Sequence, residues 1–188
     1  LLLKIDFKKF NNIDSESIMD FFDNHGLGNT DYFEKVFRIM IKKKVDNDDI
    51  TFKDLYRITN KKLIIVATNL NKRKTVFFNY KDTPNIPVID AVLASLSIPI
   101  VFKPRKINGD IYVDGAVTNN FAMDLFTNEI NKTLGIIVFE KKEDVRINDL
   151  PQFLYSLCTC SLENKCNEMI EKYNNIIILN NEKDFFNF

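Results

Sequence analysis

The feature that most constrains this chain is a carboxylate placed at the end of an apolar, β-rich run. Ile111, Tyr112 and Val113 lead directly into Asp114, and Gly115 follows. β-Branched and aromatic residues favour strands, whereas glycine permits the close turn that a strand end often needs. In α/β folds, reactive groups usually lie at strand ends. The pattern therefore predicts a strand that ends on Asp114, with that carboxylate as the candidate functional group.

The residues before this strand predict a helix that stops at a proline. Residues 88–97 have the apolar character of a buried helix, and Pro87 lies near its first turn. Pro99 cannot continue the helix because it lacks a backbone N–H, and it forces the preceding residue towards extended geometry. The stretch 90–126 is therefore interpreted as helix, strand, short loop, strand and Asp-Gly turn.

An ordered set of residues in this stretch matches a known motif region: Asp90-Ala91, Ala94-Ser95, Ile98-Pro99, Phe102, Pro104, Tyr112-Val113-Asp114-Gly115-Ala116 and Asn119-Asn120. Together they resemble the C-terminal motif region of patatin-like phospholipases. In that family the Asp of a D-G-G/A motif is half of a Ser-Asp catalytic dyad, and Asp114 is the residue at the matching position. The sequence departs from the family at Ala122, where proline is common, which leaves the following turn less rigid.

The resemblance implies an α/β protein, with a three-layer α/β/α patatin-like fold and a mostly parallel central sheet. The alternation of apolar strands and amphipathic helices is typical of the same class. The family's catalytic Ser, in a G-x-S-x-G elbow, and its Gly-rich oxyanion loop are not found in these 188 residues. We therefore expect residues 1–188 to form a single patatin-like domain that is truncated at its N-terminus, with the elbow upstream.

Two serines inside the stretch are rival nucleophiles. A nucleophile elbow needs glycines two residues before and after the serine, because the turn is too tight for side chains there. Ser95 is flanked at those positions by Leu93 and Ser97, and Ser97 is flanked by Ser95 and Pro99. We therefore interpret both serines as packing residues near the end of a helix.

Composition excludes several classes of function. Lys plus Arg and Asp plus Glu both number 26, so no global field attracts nucleic acid or an anionic surface. No apolar run reaches the ~18 residues that a membrane-spanning helix needs. The sequence thus predicts no nucleic-acid partner, and it predicts that any membrane contact is peripheral.

Cysteine usage bears on metals and on location. Cys158, Cys160 and Cys166 are clustered, but a metal site would need a further ligand and the chain has one histidine, His25. Buried thiols in a reducing compartment are the favoured interpretation, and an odd cysteine count argues against a secreted disulfide scaffold. The prediction is an intracellular, cytoplasmic protein with peripheral membrane contact and no metal or other cofactor.

Hydrophobic periodicity predicts the remaining elements. The predicted helices are 13–24, a helix beginning near residue 30, 52–59, 150–173 and a short helix 122–126 capped by Asn119 or Asn120. The predicted strands are 63–68, 75–80, 133–139 and a buried strand at 176–179. Residues 25–28 are interpreted as a glycine-rich turn between two helices.

Two functions of different class remain open. The resemblance implies a lipid acyl hydrolase of the phospholipase A type, which cleaves acyl esters of glycerolipids with a Ser outside this chain and Asp114 as its base. A carboxylate with an ordinary pKa of ~3.9 is a weak base, and burial beside an apolar strand would raise that pKa. The alternative is a catalytically silent patatin-like module that binds lipid or a partner.

Overall fold

The computed structural model describes residues 25–139, 147, 153–154, 156–157, 160, 167–168 and 170–180. The chain divides into two compact units, Leu1–Asn119 and Asn120–Phe188. The helix predicted at 13–24 lies outside the described residues. In chain order, the elements of the first unit are β1 (Gly26–Gly28), α1 (Asp31–Val45), α2 (Phe52–Thr59), β2 (Ile64–Asn69), β3 (Lys74–Asn79), α3 (Val88–Leu96), β4 (Ile100–Phe102), β5 (Arg105–Ile107), β6 (Asp110–Asp114) and α4 (Ala116–Asn119).

The largest described sheet has four strands in the order β3-β2-β6-β5, and every neighbouring pair is antiparallel. The prediction of mixed helices and strands is confirmed, but the prediction of a mostly parallel sheet is wrong for this sheet. Parallel neighbours need a long crossover, whereas β5 and β6 are joined by a tight turn at Asn108 and Gly109. Both residues have positive φ, 50° and 88°, as type I′ hairpins require.

One face of this sheet carries the core of the first unit. In an antiparallel pair, opposed residues project to the same face, so Ala67, Phe78 and Tyr112 belong to one apolar layer. Helix α3 lies against β2 and β6 and adds small residues that permit close packing. The buried core residues are Ile50, Phe52, Ala67, Phe78, Val88, Ala91, Ala94, Ile107 and Tyr112.

Two predicted helices are confirmed almost to the residue. Helix α2 spans Phe52–Thr59, and the Thr51 side chain accepts a hydrogen bond from the backbone N–H of Asp54 at 3.2 Å. This cap satisfies one of the free N–H groups at the start of the helix. Helix α3 ends at Leu96, before Pro99, as the proline rule requires.

The glycine-rich segment near His25 differs from its prediction. Gly26–Gly28 is a strand, β1, that pairs in parallel with β4, and only His25 itself has the positive φ of a turn. A Cβ built on Gly26 would lie 2.4 Å from the backbone N of Lys103. Glycine is needed here because two backbones approach closely, and not because a turn is formed.

A chain of ion pairs joins α1, α3 and β5. Arg105 contacts Glu34 at 3.1 Å and Asp90 at 2.6 Å, and Glu34 also binds Arg38 at 2.9 Å. Burial acts to raise the pKa of Glu34, but hydrogen bonding to Arg38 and the charge of Arg105 outweigh it, so this pKa lies below its ordinary value. Asp90, part of the motif region, is therefore held by Arg105.

We expect Arg105→Gln to lower the free energy of unfolding by about 1–3 kcal/mol at neutral pH, because two carboxylates lose their shared guanidinium. A lowered carboxyl pKa contributes stability above its unfolded value of 4.5, and that contribution is lost as pH falls through the folded pKa. The difference from wild type should therefore shrink on acidification, as measured by urea unfolding at pH 7 and pH 3.

The matched control is Arg57→Gln. Arg57 pairs with Asp54 at 3.2 Å, but its side chain is 77% exposed, so its loss should cost less than about 0.5 kcal/mol. Equal losses for the two arginine variants would show that the Arg105 network contributes no more than a surface pair.

The second unit contains a 3₁₀ helix, Met123–Lys132, and two parallel strands, β7 (Gly135–Phe139) and β8 (Ile176–Asn180). The described positions between β7 and β8 that are helical are 153–154, 156–157, 160, 167–168 and 170–172, which agrees in part with the helix predicted at 150–173. The N-cap of the 3₁₀ helix is Ala122, so the predicted capping by Asn119 or Asn120 is wrong.

The strand β8 is also more exposed than predicted. Its apolar side chains at Ile177, Ile178 and Leu179 are 43–48% exposed, although the continuous apolar run predicted a buried strand. On β7, Ile136 and Val138 are likewise exposed. An apolar run shows only that a strand suits a buried position, and cannot show what covers it.

Candidate active site

Strand β6 places Asp114 at its last position, as the sequence predicts. Asp114 is opposite Ala67 of β2, so its side chain leaves the sheet on the face that carries the core. Its backbone N–H donates to the carbonyl oxygen of Ser97, just beyond α3, at 2.9 Å. The end of α3 and the end of β6 are therefore joined directly at the residue that carries the carboxylate.

The Asp114 carboxylate is partly enclosed and accepts a hydrogen bond from its own turn. Its Oδ1 receives the backbone N–H of Ala116 at 2.8 Å, the geometry of an Asx turn. Burial raises the pKa of Asp114, and the Ala116 N–H opposes this only in part. The cause of the raised pKa is loss of water, so the ionised form is a stronger base than an exposed aspartate.

Gly115 brings the turn against β2. A Cβ built at this position would lie 2.5 Å from the carbonyl oxygen of Val66, closer than real Cβ atoms approach. The carbonyl oxygen of Gly115 accepts hydrogen bonds from the N–H groups of Thr118 and Asn119, which form the short helix α4. The Asp-Gly pair therefore allows β6 to turn into α4 with no gap against the sheet.

Three threonine hydroxyls lie beside this turn, and none was identified from the sequence. Thr68 Oγ1 donates to the carbonyl oxygen of Asp114 at 3.0 Å, and Thr118 Oγ1 lies 2.9 Å from Thr68 Oγ1 and 2.8 Å from Thr75 Oγ1. Thr68 and Thr75 are opposed in the β2–β3 hairpin. Their equal distance from the hairpin loop was a usable signal in the sequence.

Residues 2–127 match the family model described as patatin-like phospholipase. The chain belongs to the patatin-like phospholipase family. The D-G-A turn at Asp114 lies inside the matched region. The resemblance stated from the motif residues is thereby confirmed.

Two viral relatives of this patatin-like chain are similar in sequence. "Probable lipid hydrolase 463L" of Invertebrate iridescent virus 6 is 34% identical over 131 residues, covering 70% of this chain and 45% of the relative. "Uncharacterized protein R571" of Acanthamoeba polyphaga mimivirus is 30% identical over 171 residues, covering 85% and 56%. The chain therefore spans about half the length of these curated relatives.

Of the two rival serines in the patatin-like chain, the structure places Ser97 as a packing residue. Ser97 is 0% exposed, and its Oγ donates to the carbonyl oxygen of Leu93 at 2.8 Å, one turn earlier in α3. Ser95 is half-buried within α3. A hydroxyl committed to a helix carbonyl and closed off from solvent cannot attack a substrate, so the interpretation of Ser97 is confirmed.

Other groups singled out in the sequence lie elsewhere. His25 is exposed and precedes β1. Cys160 is an exposed free thiol, so the prediction of a buried thiol is wrong at this position. Cys158 and Cys166 lie outside the described residues. Among the residues that the structure describes, no group of three or more His, Cys, Asp or Glu side chains could hold a metal ion. In the same part of the chain, no helix is long and apolar enough to cross a membrane.

Proposed function

We propose that this chain carries the aspartate half of the Ser-Asp dyad of a lipid acyl hydrolase of the phospholipase A type. The observation that carries the proposal is the partly buried Asp114 carboxylate, with its raised pKa, at the strand end of a D-G-A turn in a patatin-like chain. The printed name of the iridescent virus relative, a probable lipid hydrolase, supports the same class of substrate. The substrate is a phospholipid or another acyl glycerolipid.

The proposed chemistry is an acyl transfer in two steps. A serine outside residues 1–188 attacks the ester carbonyl carbon, while Asp114 takes the hydroxyl proton and returns it to the departing alkoxide oxygen. Backbone N–H groups of an upstream glycine-rich loop bind the oxyanion. Water then attacks the acyl-enzyme carbonyl carbon, and Asp114 accepts the water proton. The bond between the acyl carbon and the serine oxygen breaks, Asp114 passes the proton to the serine oxygen, and the fatty acid is released.

The proposal includes a domain and a location. Residues 1–188 would form one three-layer α/β/α patatin-like domain that lacks the oxyanion loop and the nucleophile elbow. The enzyme would act in the cytoplasm at a membrane surface, because acyl glycerolipids are found there. Asp114 and a serine supply this mechanism without a cofactor.

A catalytically silent module is the second candidate. The observation that favours it is the lack of any G-x-S-x-G sequence within the 188 residues. A protein that had lost the elbow would retain the D-G-A turn, because Gly115 and the hydrogen bonds around Asp114 stabilise the fold without any chemistry. The reading frame upstream of Leu1 distinguishes the two candidates.

A fluorophosphonate probe, which labels activated serines covalently, gives a direct test. We expect the natural full-length protein to be labelled at a serine outside residues 1–188, to hydrolyse fluorogenic acyl esters, and to remain active as Ser95→Ala or Ser97→Ala. The chain of residues 1–188 should be neither labelled nor active. Labelling of Ser95, or turnover that Ser95→Ala abolishes, would show that the nucleophile is inside this chain.

A further inference from the structure

The three threonine hydroxyls beside the Asp114 turn form a continuous row. Thr75 Oγ1, Thr118 Oγ1 and Thr68 Oγ1 are separated by 2.8 and 2.9 Å, and Thr68 Oγ1 is 3.0 Å from the carbonyl oxygen of Asp114. The row joins four elements, since the residues come from β3, α4, β2 and β6. Thr68 is 2% exposed, so its hydroxyl depends on protein partners.

The direction of each hydrogen bond follows from counting protons. A carbonyl oxygen only accepts, so the single hydroxyl proton of Thr68 is directed to Asp114. Thr68 must then accept from Thr118. Thr118 has no second proton, and it therefore accepts from Thr75. All three bonds have the same sense and end at the main chain of Asp114, an arrangement in which neighbouring bonds strengthen one another.

Thr118 is the member that links the turn to the sheet. Its hydroxyl lies between those of Thr68 and Thr75, which are cross-strand partners in the β2–β3 hairpin. Its backbone N–H donates to the carbonyl oxygen of Gly115 at 3.1 Å, so one residue contacts both the turn and the hairpin. Removing the Thr118 hydroxyl would take away the acceptor of the Thr75 hydroxyl proton. It would also remove the donor that directs the Thr68 hydroxyl proton towards the carbonyl oxygen of Asp114.

We propose that Thr118 is a positioning residue for Asp114, acting through Thr68 on the peptide that carries the carboxylate. The role rests on the proposed function, in which Asp114 is the base. The hydroxyl row holds the Asp114 carbonyl on one side of the strand end while the Ala116 N–H holds the carboxylate. Together they keep the carboxylate partly enclosed and aligned for proton transfer.

The test is Thr118→Val in the natural full-length protein, with Asp114 observed by ¹³C NMR of labelled aspartate and assigned by its loss in Asp114→Asn. A looser turn admits water, so the pKa of Asp114 should fall towards its ordinary value. We expect kcat for a fluorogenic ester to fall roughly tenfold or more while KM changes little, because misplacement of a catalytic group affects the chemical step. Thr118→Ser should restore both.

Thr59→Val is the matched control. Thr59 Oγ1 also donates to a carbonyl oxygen, that of Leu55 at 2.7 Å, and accepts the N–H of Lys61, but it lies at the end of α2. This variant should lower the melting temperature without altering the Asp114 titration. The proposal would be overturned if Thr118→Val behaved in the same way, with a lower melting temperature and an unchanged pKa of Asp114.

Two further arms keep the test decisive. Thr75→Val removes only the outer donor of the row and leaves no unsatisfied proton, so it should shift the Asp114 pKa in the same direction by a smaller amount. If Thr118→Val does not fold, Thr75→Val takes its place in the test. An unchanged Asp114 pKa in Thr75→Val would then count against the proposal. A protein that hydrolysed no ester would refute the proposed function, whereas the Asp114 titration would still decide the role of Thr118.

Discussion

Asp114→Asn is expected to lower ester turnover of the natural full-length protein by roughly 10²- to 10⁴-fold, the usual contribution of a general base. The amide has the size of the carboxylate, and its oxygen can still accept the Ala116 N–H, so the Asx turn should persist. It cannot accept the serine proton. Turnover with a fluorogenic ester, together with circular dichroism, measures both aspects.

Asp124→Asn is the control for this loss. Asp124 is exposed in the 3₁₀ helix, so its variant should stay within a few-fold of wild-type turnover. An unfolded Asp114→Asn protein would show that the carboxylate is primarily a structural turn residue. A folded and fully active one would show that the dyad is wrong and that the family resemblance describes the fold alone.

Asp114→Asn should not lower the free energy of unfolding at neutral pH. Because the pKa of Asp114 is raised on folding, the folded protein binds its proton more tightly than the unfolded chain does. The contribution of Asp114 to the free energy of unfolding therefore falls as pH rises from its ordinary pKa of 3.8 through the raised pKa of the folded protein. Above that pH range, the ionised carboxylate destabilises the folded protein. Asp114→Asn should lack this pH dependence and melt at an equal or higher temperature at pH 7.

Gly115→Ala is expected to be strongly destabilising, by about 3 kcal/mol, because its methyl group would meet the Val66 carbonyl oxygen at 2.5 Å. The obstacle is backbone rather than a mobile side chain, so β2 and the Asp114 turn must separate. The midpoint of urea unfolding measures the loss.

Gly109→Ala separates this steric effect from the cost of a backbone conformation. Gly109 has φ +88°, but no atom lies within 4 Å of the position that an alanine methyl group would occupy there. Left-handed geometry alone should cost Gly109→Ala about 1 kcal/mol. If Gly115→Ala were no more destabilising than Gly109→Ala, the close approach at Val66 would not be a constraint on this fold.

Local patterns in the sequence predicted the strand that ends on Asp114, the helix before it, and helix α2. Pro99 marked the end of α3, Thr51 marked the start of α2, and an apolar run before an Asp-Gly pair marked the end of β6. Each signal acts through the chain's own backbone within a few residues. Such signals do not depend on distant contacts and can therefore be recognised from sequence.

Strand pairing was harder to predict because it depends on partners far along the chain. The antiparallel β5–β6 pair did have a local signal, the Asn108-Gly109 dipeptide, which favours a type I′ hairpin. No comparable signal marked the pairing of β1 with β4, which requires residues some seventy positions apart to meet at Gly26 and Ile100. The threonine row depends on three such long-range contacts, which are the hydrogen bonds from Thr75 to Thr118, from Thr118 to Thr68 and from Thr68 to Asp114.

The pairing of β2 with β6 has an evolutionary consequence. Asp114 is held opposite Ala67, its turn is packed on Val66, and its backbone N–H donates to the Ser97 carbonyl, so β2 and the end of α3 fix its position. The Asn108-Gly109 turn lies at the far end of β6 from Asp114. Lengthening of that hairpin in a relative would therefore be expected to leave the position of the carboxylate unchanged.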